Sequence, residues 1–335
     1  MRIESDYSLL QHNTFGIDAR CRWYVEYASI EEARQVALEL SDPFLIIGGG
    51  SNLLLTRNYE GTVVRSALKG CEVVADGDDD VLVSVGSGEE WDAMVALFVE
   101  NGWHGAENLS LIPGDVGASA VQNIGAYGVE ACQLIERVEA VRIGSGERVV
   151  LPASECRYAY RQSRFKTEWC NQYLITHVVY RLSRQFVPHL DYGNVRQELL
   201  QRGICEPTAI QLRAVIVDIR REKLPDPKVE GNAGSFFMKP VVSREKFEAL
   251  LADYPLMPHY FVDEEHEKIP AGWMIDQCGW KGRMVGRAGV HGKQALVLVN
   301  RGGATGKEIV SLCRQIQEDV RGRFGIDIHP EVNIV

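Results

Sequence analysis

Two stretches of this chain hold little but glycine and small residues, where backbone amides could gather around an anion. The first is Gly48-Gly49-Gly50-Ser51-Asn52, which interrupts the apolar run Leu45-Ile46-Ile47 and gives way to Leu53-Leu54-Leu55. Residues without Cβ leave φ > 0 open and let another molecule come close, so their N–H groups can converge on a phosphate. A glycine hairpin with no ligand would read the same way. The second stretch weighs against that: Ile112-Pro113-Gly114-Asp115-Val116-Gly117-Ala118-Ser119-Ala120, followed at once by Val121-Gln122-Asn123-Ile124-Gly125-Ala126-Tyr127-Gly128. Two phosphate-sized loops in one chain point to a dinucleotide. Neither has the G-x-G-x-x-G spacing of a nucleotide-binding βαβ turn or the Gly-Lys-Ser/Thr ending of a P-loop.

An anionic ligand also needs cations, and these cluster. Arg157, Arg161, Arg164 and Lys166 lie together, as do Arg220, Arg221, Lys223 and Lys228, and then Lys281, Arg283 and Arg287. For most of them the plainer reading is a solvated face. A further glycine-bearing segment, Lys228-Val229-Glu230-Gly231-Asn232-Ala233-Gly234-Ser235-Phe236-Phe237, follows two prolines that end a helix.

The elements that must position these loops read as follows. Residues 21–27 form a strand, Ser29-Ile30-Glu31-Glu32 a capping box, and a helix runs from there to about Leu40 before the strand entering the triple glycine. Strands follow at 62–65 and 81–85. Ser87-Gly88-Glu89-Glu90 reads as a second capping box for a helix over 91–100, stopped by Asn101-Gly102. Residues 105–128 have little helical or strand period and are expected as one long functional loop. Strands at 136–143 and 173–182 flank the basic segment, and a boundary falls near 184–188. Beyond it come helices over 208–223, 244–254 and 307–324, the last capped by Gly325, and a buried strand over 295–300.

At 335 residues, with 45% hydrophobic and 24% charged content, the chain reads as a globular protein of two or three domains. Its start is polar and acidic, and no apolar run approaches the roughly 18 residues of a membrane span. The eight cysteines are scattered without a C-x-x-C pair. That pattern argues for reduced thiols in the cytoplasm and against a metal site or disulfide framework. A net charge of −10 argues against nucleic acid as a partner.

Taken together, GGGSN at 48–52, IPG at 112–114, QNIGAYG at 122–128, YRQSRFK at 160–166, LPDPKVEGNAGSFF at 224–237, AGWMIDQCGWKG at 271–282 and PEV at 330–332 resemble one family. It is the UDP-N-acetylenolpyruvoylglucosamine reductase (UDP-N-acetylmuramate dehydrogenase) family, flavoenzymes of bacterial cell-wall synthesis. The Tyr260 region and the chain length resemble its longer-loop subtype.

The resemblance implies an α+β fold, with a two-part FAD-binding domain of the vanillyl-alcohol-oxidase type over residues 1–186, split near 60–70. A C-terminal α+β substrate-binding domain would span 187–335, its last segment near 326–335 returning to the active site. It implies non-covalent FAD, NADPH as reductant, UDP-N-acetylglucosamine enolpyruvate as substrate, and a monomer without membrane or metal.

Under the same resemblance Gly48, Gly49, Gly50, Ser51 and Asn52 hold the diphosphate. Pro113, Gly114, Gly117, Ala118 and Ser119 form a second wall, and Gln122, Asn123, Ile124 and Gly125 approach the isoalloxazine. Arg161 and Glu331 flank the substrate carboxylate, Ser235 gives the proton, and Tyr192, Lys223 and Tyr260 contact the UDP-sugar. Lys239 joins them because Met238-Lys239-Pro240 stands where many members have Lys-Asn-Pro. An FAD oxidase of another sugar or alcohol would lack the coincidence of Arg161, Ser235 and Glu331, and a nucleotide-binding module without turnover would leave the C-terminal acid/base set without purpose.

Overall fold

The structure, a computed structural model, describes residues 1–41 and 43–335. The chain divides into two units: Met1–Tyr7, Cys21–Gly50 and Tyr59–Arg221 make the first, and Ser8–Arg20, Ser51–Asn58 and Glu222–Val335 the second. Strands and helices mix in both, with parallel and antiparallel pairing, as an α+β fold requires.

In the first unit, a four-stranded sheet runs in the order Arg2–Ser8, Arg20–Tyr27, Tyr59–Ser66, Phe44–Ile47. The second and fourth of these strands both lie parallel to Tyr59–Ser66. Parallel neighbours need a crossover, which helix α1 (Ile30–Glu39) supplies. The Ser29 hydroxyl caps it by accepting from the Glu32 amide at 3.2 Å, and Ala33, Val36 and Ala37 bury against Tyr27, Val64 and Leu174.

A five-stranded antiparallel sheet follows, ordered Arg148–Pro152, Ile135–Arg142, Tyr173–Ser183, Asp80–Gly86, Cys71–Asp76. Helices α2 (Trp91–Glu100) and α3 (Val116–Gln122) share its core, where Trp91 and Phe98 tilt against Tyr180 at 5.6 and 6.0 Å. Such contacts contribute roughly 0.5–1.5 kcal/mol each beyond area burial. Helices α4 (Val195–Gln201) and α5 (Ala209–Lys223) close the unit around Leu199, Leu212, Ile216 and Ile219.

Two expectations fail here. Ser87 does not cap α2: its hydroxyl donates to Ile175 O at 2.7 Å and meets Ser66 Oγ, while Glu90 occupies the cap position without a side-chain bond. Nor is 105–128 one loop, since it contains α3 and the hairpin Gly125–Ala126 with Val129–Glu130. Ala, Ser and Gly leave so small an apolar face on α3 that its period is invisible in sequence.

In the second unit, the sheet order is Gly231–Ser235, Val297–Asn300, Ala288–Val290, Met284–Val285. Behind it lies the longest helix, α8 (Gly306–Phe324), with α6 (Arg244–Asp253) and α7 (Ala271–Gln277) completing the unit. Thr305 and Glu308 form a reciprocal capping box on α8, and Gly325 ends it at φ 61°. A three-stranded sheet runs Val241–Ser243, His266–Lys268, Tyr260–Phe261, and Asn333–Ile334 pairs in parallel with Leu53–Leu54. No described helix is long and apolar enough to cross a membrane.

Candidate active site

In the first unit the two glycine-bearing loops lie against one another. A Cβ placed on Gly49 would stand 3.1 Å from both Gly114 Cα and Asp115 Oδ1, and one on Gly48 3.1 Å from Ala118 Cβ. Gly114 also turns at φ 125°, which other residues rarely adopt. Arg65 reaches this point from the parallel sheet, pairing with Asp115 at 3.2 Å and with Glu26 at 3.1 Å. Burial pushes the Asp115 carboxyl up, with the Arg65 guanidinium working in the other direction. Arg65 thus stands between two carboxylates beside the loops.

Further along, Gly117 packs on Ser87, whose Cβ would be 2.9 Å from a new Cβ, and its amide donates to Ser87 O at 2.9 Å. Ser119 is buried with its hydroxyl on Val116 O and Tyr180 OH, and its amide donates to Asp115 O at 3.2 Å. Asn123 turns left-handed at φ 46°. Its side chain is committed to Glu130, Ala159 O and the Cys132 amide. Pro113 is exposed, while Ala118, Gln122 and Ile124 are half-buried on and beside α3.

Arg161 is fixed by that same turn. Its guanidinium donates to Asn123 O at 3.2 Å and to Gly125 O, lies 3.9 Å from Glu130, and sits 5.1 Å from the centre of the Tyr160 ring. A Cβ on Gly125 would approach Arg161 Nη1 to 2.7 Å, so glycine is needed there for the arginine to lie down. Tyr192 stands next to the same hairpin, its Cβ 3.4 Å from where a Gly128 Cβ would be.

The residue before the second loop is strained. Leu111 has φ 57°, a conformation that costs an L-residue roughly 1–2 kcal/mol. Both its backbone groups are held: its amide donates to Asp92 Oδ1 at 2.5 Å, and its carbonyl accepts from Arg220 Nε at 3.3 Å. Arg213, two turns earlier on α5, grips Asp92 with both Nη atoms at 2.7 and 3.1 Å. Burial opposes ionisation of Asp92, but Arg213 and the Leu111 amide prevail and hold its carboxyl below the ordinary value.

Arg213→Met should therefore destabilise the protein by roughly 1.5–3 kcal/mol, the usual worth of hydrogen bonds to a charged group. A folded pKa below the unfolded one adds stability above pH ~4 that disappears as acid protonates Asp92. The gap between variant and parent urea midpoints should accordingly narrow on acidification below that pH; a gap constant down to pH 3 would contradict it.

In the second unit, Ser235 ends its strand at a break in register. Gly234 turns at φ 66° with its amide on Asn232 Oδ1, and pairing shifts between Asn232 and Ser235. The irregularity turns Ser235 outward to an exposed position, where its hydroxyl has no partner among the described residues. Phe236 and Phe237 behind it are wholly buried, Phe236 edge-on to Phe15 at 6.1 Å.

Glu331 is brought to the same strand. Its amide donates to Phe236 O at 2.8 Å, Phe237 bridges Pro330, and Asn52 Nδ2 donates to Glu331 O at 3.3 Å. Asn52, next to Ser51, thus links the first glycine loop's trailing end to the PEV segment. Lys239 Nζ lies 4.7 Å from the centre of the Tyr260 ring, so these two are neighbours, and Lys223 ends α5. Among the described residues, no group of three or more His, Cys, Asp or Glu could hold a metal ion.

Comparison with known proteins places this geometry. Residues 226–335 match the family description "UDP-N-acetylenolpyruvoylglucosamine reductase, C-terminal domain", and residues 24–151 match "FAD binding domain". A UDP-N-acetylenolpyruvoylglucosamine reductase of Bacteroides fragilis is 55% identical over 99% of this chain and 100% of its own length. The chain belongs to the UDP-N-acetylenolpyruvoylglucosamine reductase family. Another reductase of that name, from Pseudomonas aeruginosa, is 48% identical over 100% of this chain and 99% of its own. The fold matches the crystal structure of the Thermus caldophilus UDP-N-acetylenolpyruvylglucosamine reductase at a TM-score of 0.69 and 24% identity, covering 100% and 99% of the two chains.

The residues fit the FAD that such a reductase uses. Gly48 and Gly49 lie bare against Asp115, Ala118 and Gly114, and a Cβ would fill the space there. Reading the sequence missed Asp92, Asn108 and Arg213, and placed Arg220 only within a cluster of cations. Asn108 is buried and joins Tyr127 O to His189 O at 2.8 and 2.9 Å. The spacing of Arg213 and Arg220, seven residues apart on one face of α5, was the available signal.

Proposed function

We propose that this chain reduces the enolpyruvyl group of UDP-N-acetylglucosamine enolpyruvate to the lactyl ether of UDP-N-acetylmuramate, a step in making peptidoglycan precursors. FAD, which residues 48–52, 113–119 and 122–125 would hold non-covalently, would supply the hydride, drawn from NADPH, for the terminal carbon of the double bond. The observation that carries the reading is Ser235: an exposed hydroxyl with no partner among the described residues, projected by a bulge and backed by two buried phenylalanines.

Hydride at the terminal carbon leaves negative charge on the neighbouring carbon and its carboxylate. Arg161 answers the carboxylate, because a guanidinium fork matches it in two bonds and stays charged. Glu331 flanks the same carboxylate. Ser235 delivers the proton from Oγ; the carbanionic centre is basic enough to take it from a positioned hydroxyl.

Tyr192, Lys223, Tyr260 and Lys239 serve the UDP-sugar, the tyrosines offering an apolar face with a hydroxyl and the lysines a charge for the diphosphate. In this reading 1–186 serve the cofactor and 187–335 the substrate. The enzyme works as a monomer in the cytoplasm without a nucleic-acid, membrane or metal partner.

The test is an anaerobic stopped-flow trace of flavin absorbance. The purified protein is reduced with NADPH and then given UDP-N-acetylglucosamine enolpyruvate. Colour should return with that substrate alone; recovery only with oxygen would overturn the substrate assignment.

A further inference from the structure

Helix α5 presents two arginines toward the segment that leads into the second glycine loop, and they are differently satisfied. Arg213 has a carboxylate of its own, bonded twice to Asp92. Arg220 has one hydrogen bond, from Nε to Leu111 O at 3.3 Å, and no carboxylate within ion-pair distance among the described residues. The charged and titratable groups that act on it are Tyr127, Asp92 and Arg161. Asp92 is already committed to Arg213 and the Leu111 amide. Burial pushes the Tyr127 phenol up, so it is neutral at ordinary pH, and Arg161 is a second cation.

A guanidinium that is enclosed, beside a like charge and without its own counter-ion, is an arrangement that an anion must complete. Burial lowers its hold on its proton, against the pull of Tyr127 and Asp92 and with a smaller push from Arg161, and it remains charged. Its place indicates which anion. Leu111 immediately precedes Ile112-Pro113-Gly114, and Tyr127 lies in the 122–128 stretch. On the function proposed above, on which this inference rests, the first of these segments walls the cofactor and the second approaches its ring. With FAD bound there, hydride from NADPH would bring two electrons and one proton to that ring and would leave a single negative charge on its pyrimidine part as NADP⁺ departs. A charge placed at that edge sets how readily a flavin is reduced.

We propose that Arg220 is the positioned counter-charge for the reduced flavin, set by α5 so that hydride transfer from NADPH is favourable. It binds the reduced cofactor more tightly than the oxidised one and thereby raises the reduction potential.

The experiment measures the potential of bound FAD by dye equilibration in the holoenzyme, alongside the affinity for oxidised FAD. Arg220→Gln should weaken binding of reduced relative to oxidised FAD by tenfold or more, a fall of at least about 30 mV for a two-electron couple. Arg220→Lys, which keeps the charge and loses the Nε bond to Leu111, should retain most of the potential. It also decides the matter if the glutamine variant sheds its cofactor. Arg221→Gln, an exposed neighbour, should match the parent.

An unchanged potential in a flavin-loaded glutamine variant would overturn the proposal, as would equal falls in the lysine and glutamine variants, which would make Arg220 a support for Leu111. Weaker binding of UDP-N-acetylglucosamine enolpyruvate at an unchanged potential would also overturn it, assigning the charge to the substrate. A parent protein that binds no FAD would instead overturn the function on which the inference rests.

Discussion

Ser235→Ala is expected to slow reduction of the enolpyruvyl double bond by roughly 10²–10⁴-fold, the range that positioned general acids contribute, while NADPH still bleaches the flavin at the parent rate. The separation follows from where the residue stands. Gly234 at φ 66° and the shifted register point the hydroxyl outward without enlisting it in the ladder. Removing one oxygen from an exposed side chain with no partner among the described residues leaves no buried group unsatisfied, so the fold should be indifferent. Single-turnover measurements of the two half-reactions make the comparison. Equal loss in both would mean that the strand had been disturbed and that the proton comes from elsewhere. Ser235→Cys should keep measurable activity, because a thiol can also donate.

Gly49→Val should cost the protein its cofactor. A single Cβ would already press on Gly114 Cα and Asp115 Oδ1 at 3.1 Å, and valine adds two methyl groups to it. Relief must come from moving one loop, since Asp115 is held by Arg65 and the amides of Val116 and Gly117 are bonded to Glu89 O and Ser87 O. Overpacking of this kind costs roughly 1–3 kcal/mol. Falling on the pair of loops that should hold the diphosphate, that corresponds to about 5–150-fold in FAD affinity. The variant should elute colourless from a desalting column with its far-ultraviolet dichroism unchanged. A preparation that stays yellow would place the diphosphate elsewhere.

Much of this was readable beforehand where one physical signal dominates. Helix α2 begins and ends as its apolar period predicts, and α8 ends at Gly325 as expected. The strands 136–143 and 173–182 were found within a residue or so at each end. What escaped was context. Ser87 has the pattern of a cap, but a buried carbonyl at Ile175 competes for its hydroxyl and wins. Helix α3 is built of residues too small to show a period. Arg220 sits among exposed cations in sequence, and only α5's packing separates it from Arg221.

The site residues were legible as motifs, but their supports were not. Nothing local to Leu111 reveals that Asp92, 19 positions earlier, and Arg220, 109 positions later, hold its two backbone groups.

The second unit gathers three separate pieces of chain, and this shapes how the protein can form. Thr14 Oγ1 bonds Asn232 O across 218 positions, and Asn300 Nδ2 reaches Phe15 O across 285. Asn333 pairs with Leu53 only once nearly every residue has been made. Contacts this distant close very large loops before they repay the entropy, which slows folding. A fragment cut at residue 226 lacks two of the strips on which its own sheet is built, so separate expression of the halves should give insoluble material. On the ribosome, residues 8–20 and 51–58 must wait, unpartnered, for the last third of the polypeptide to emerge.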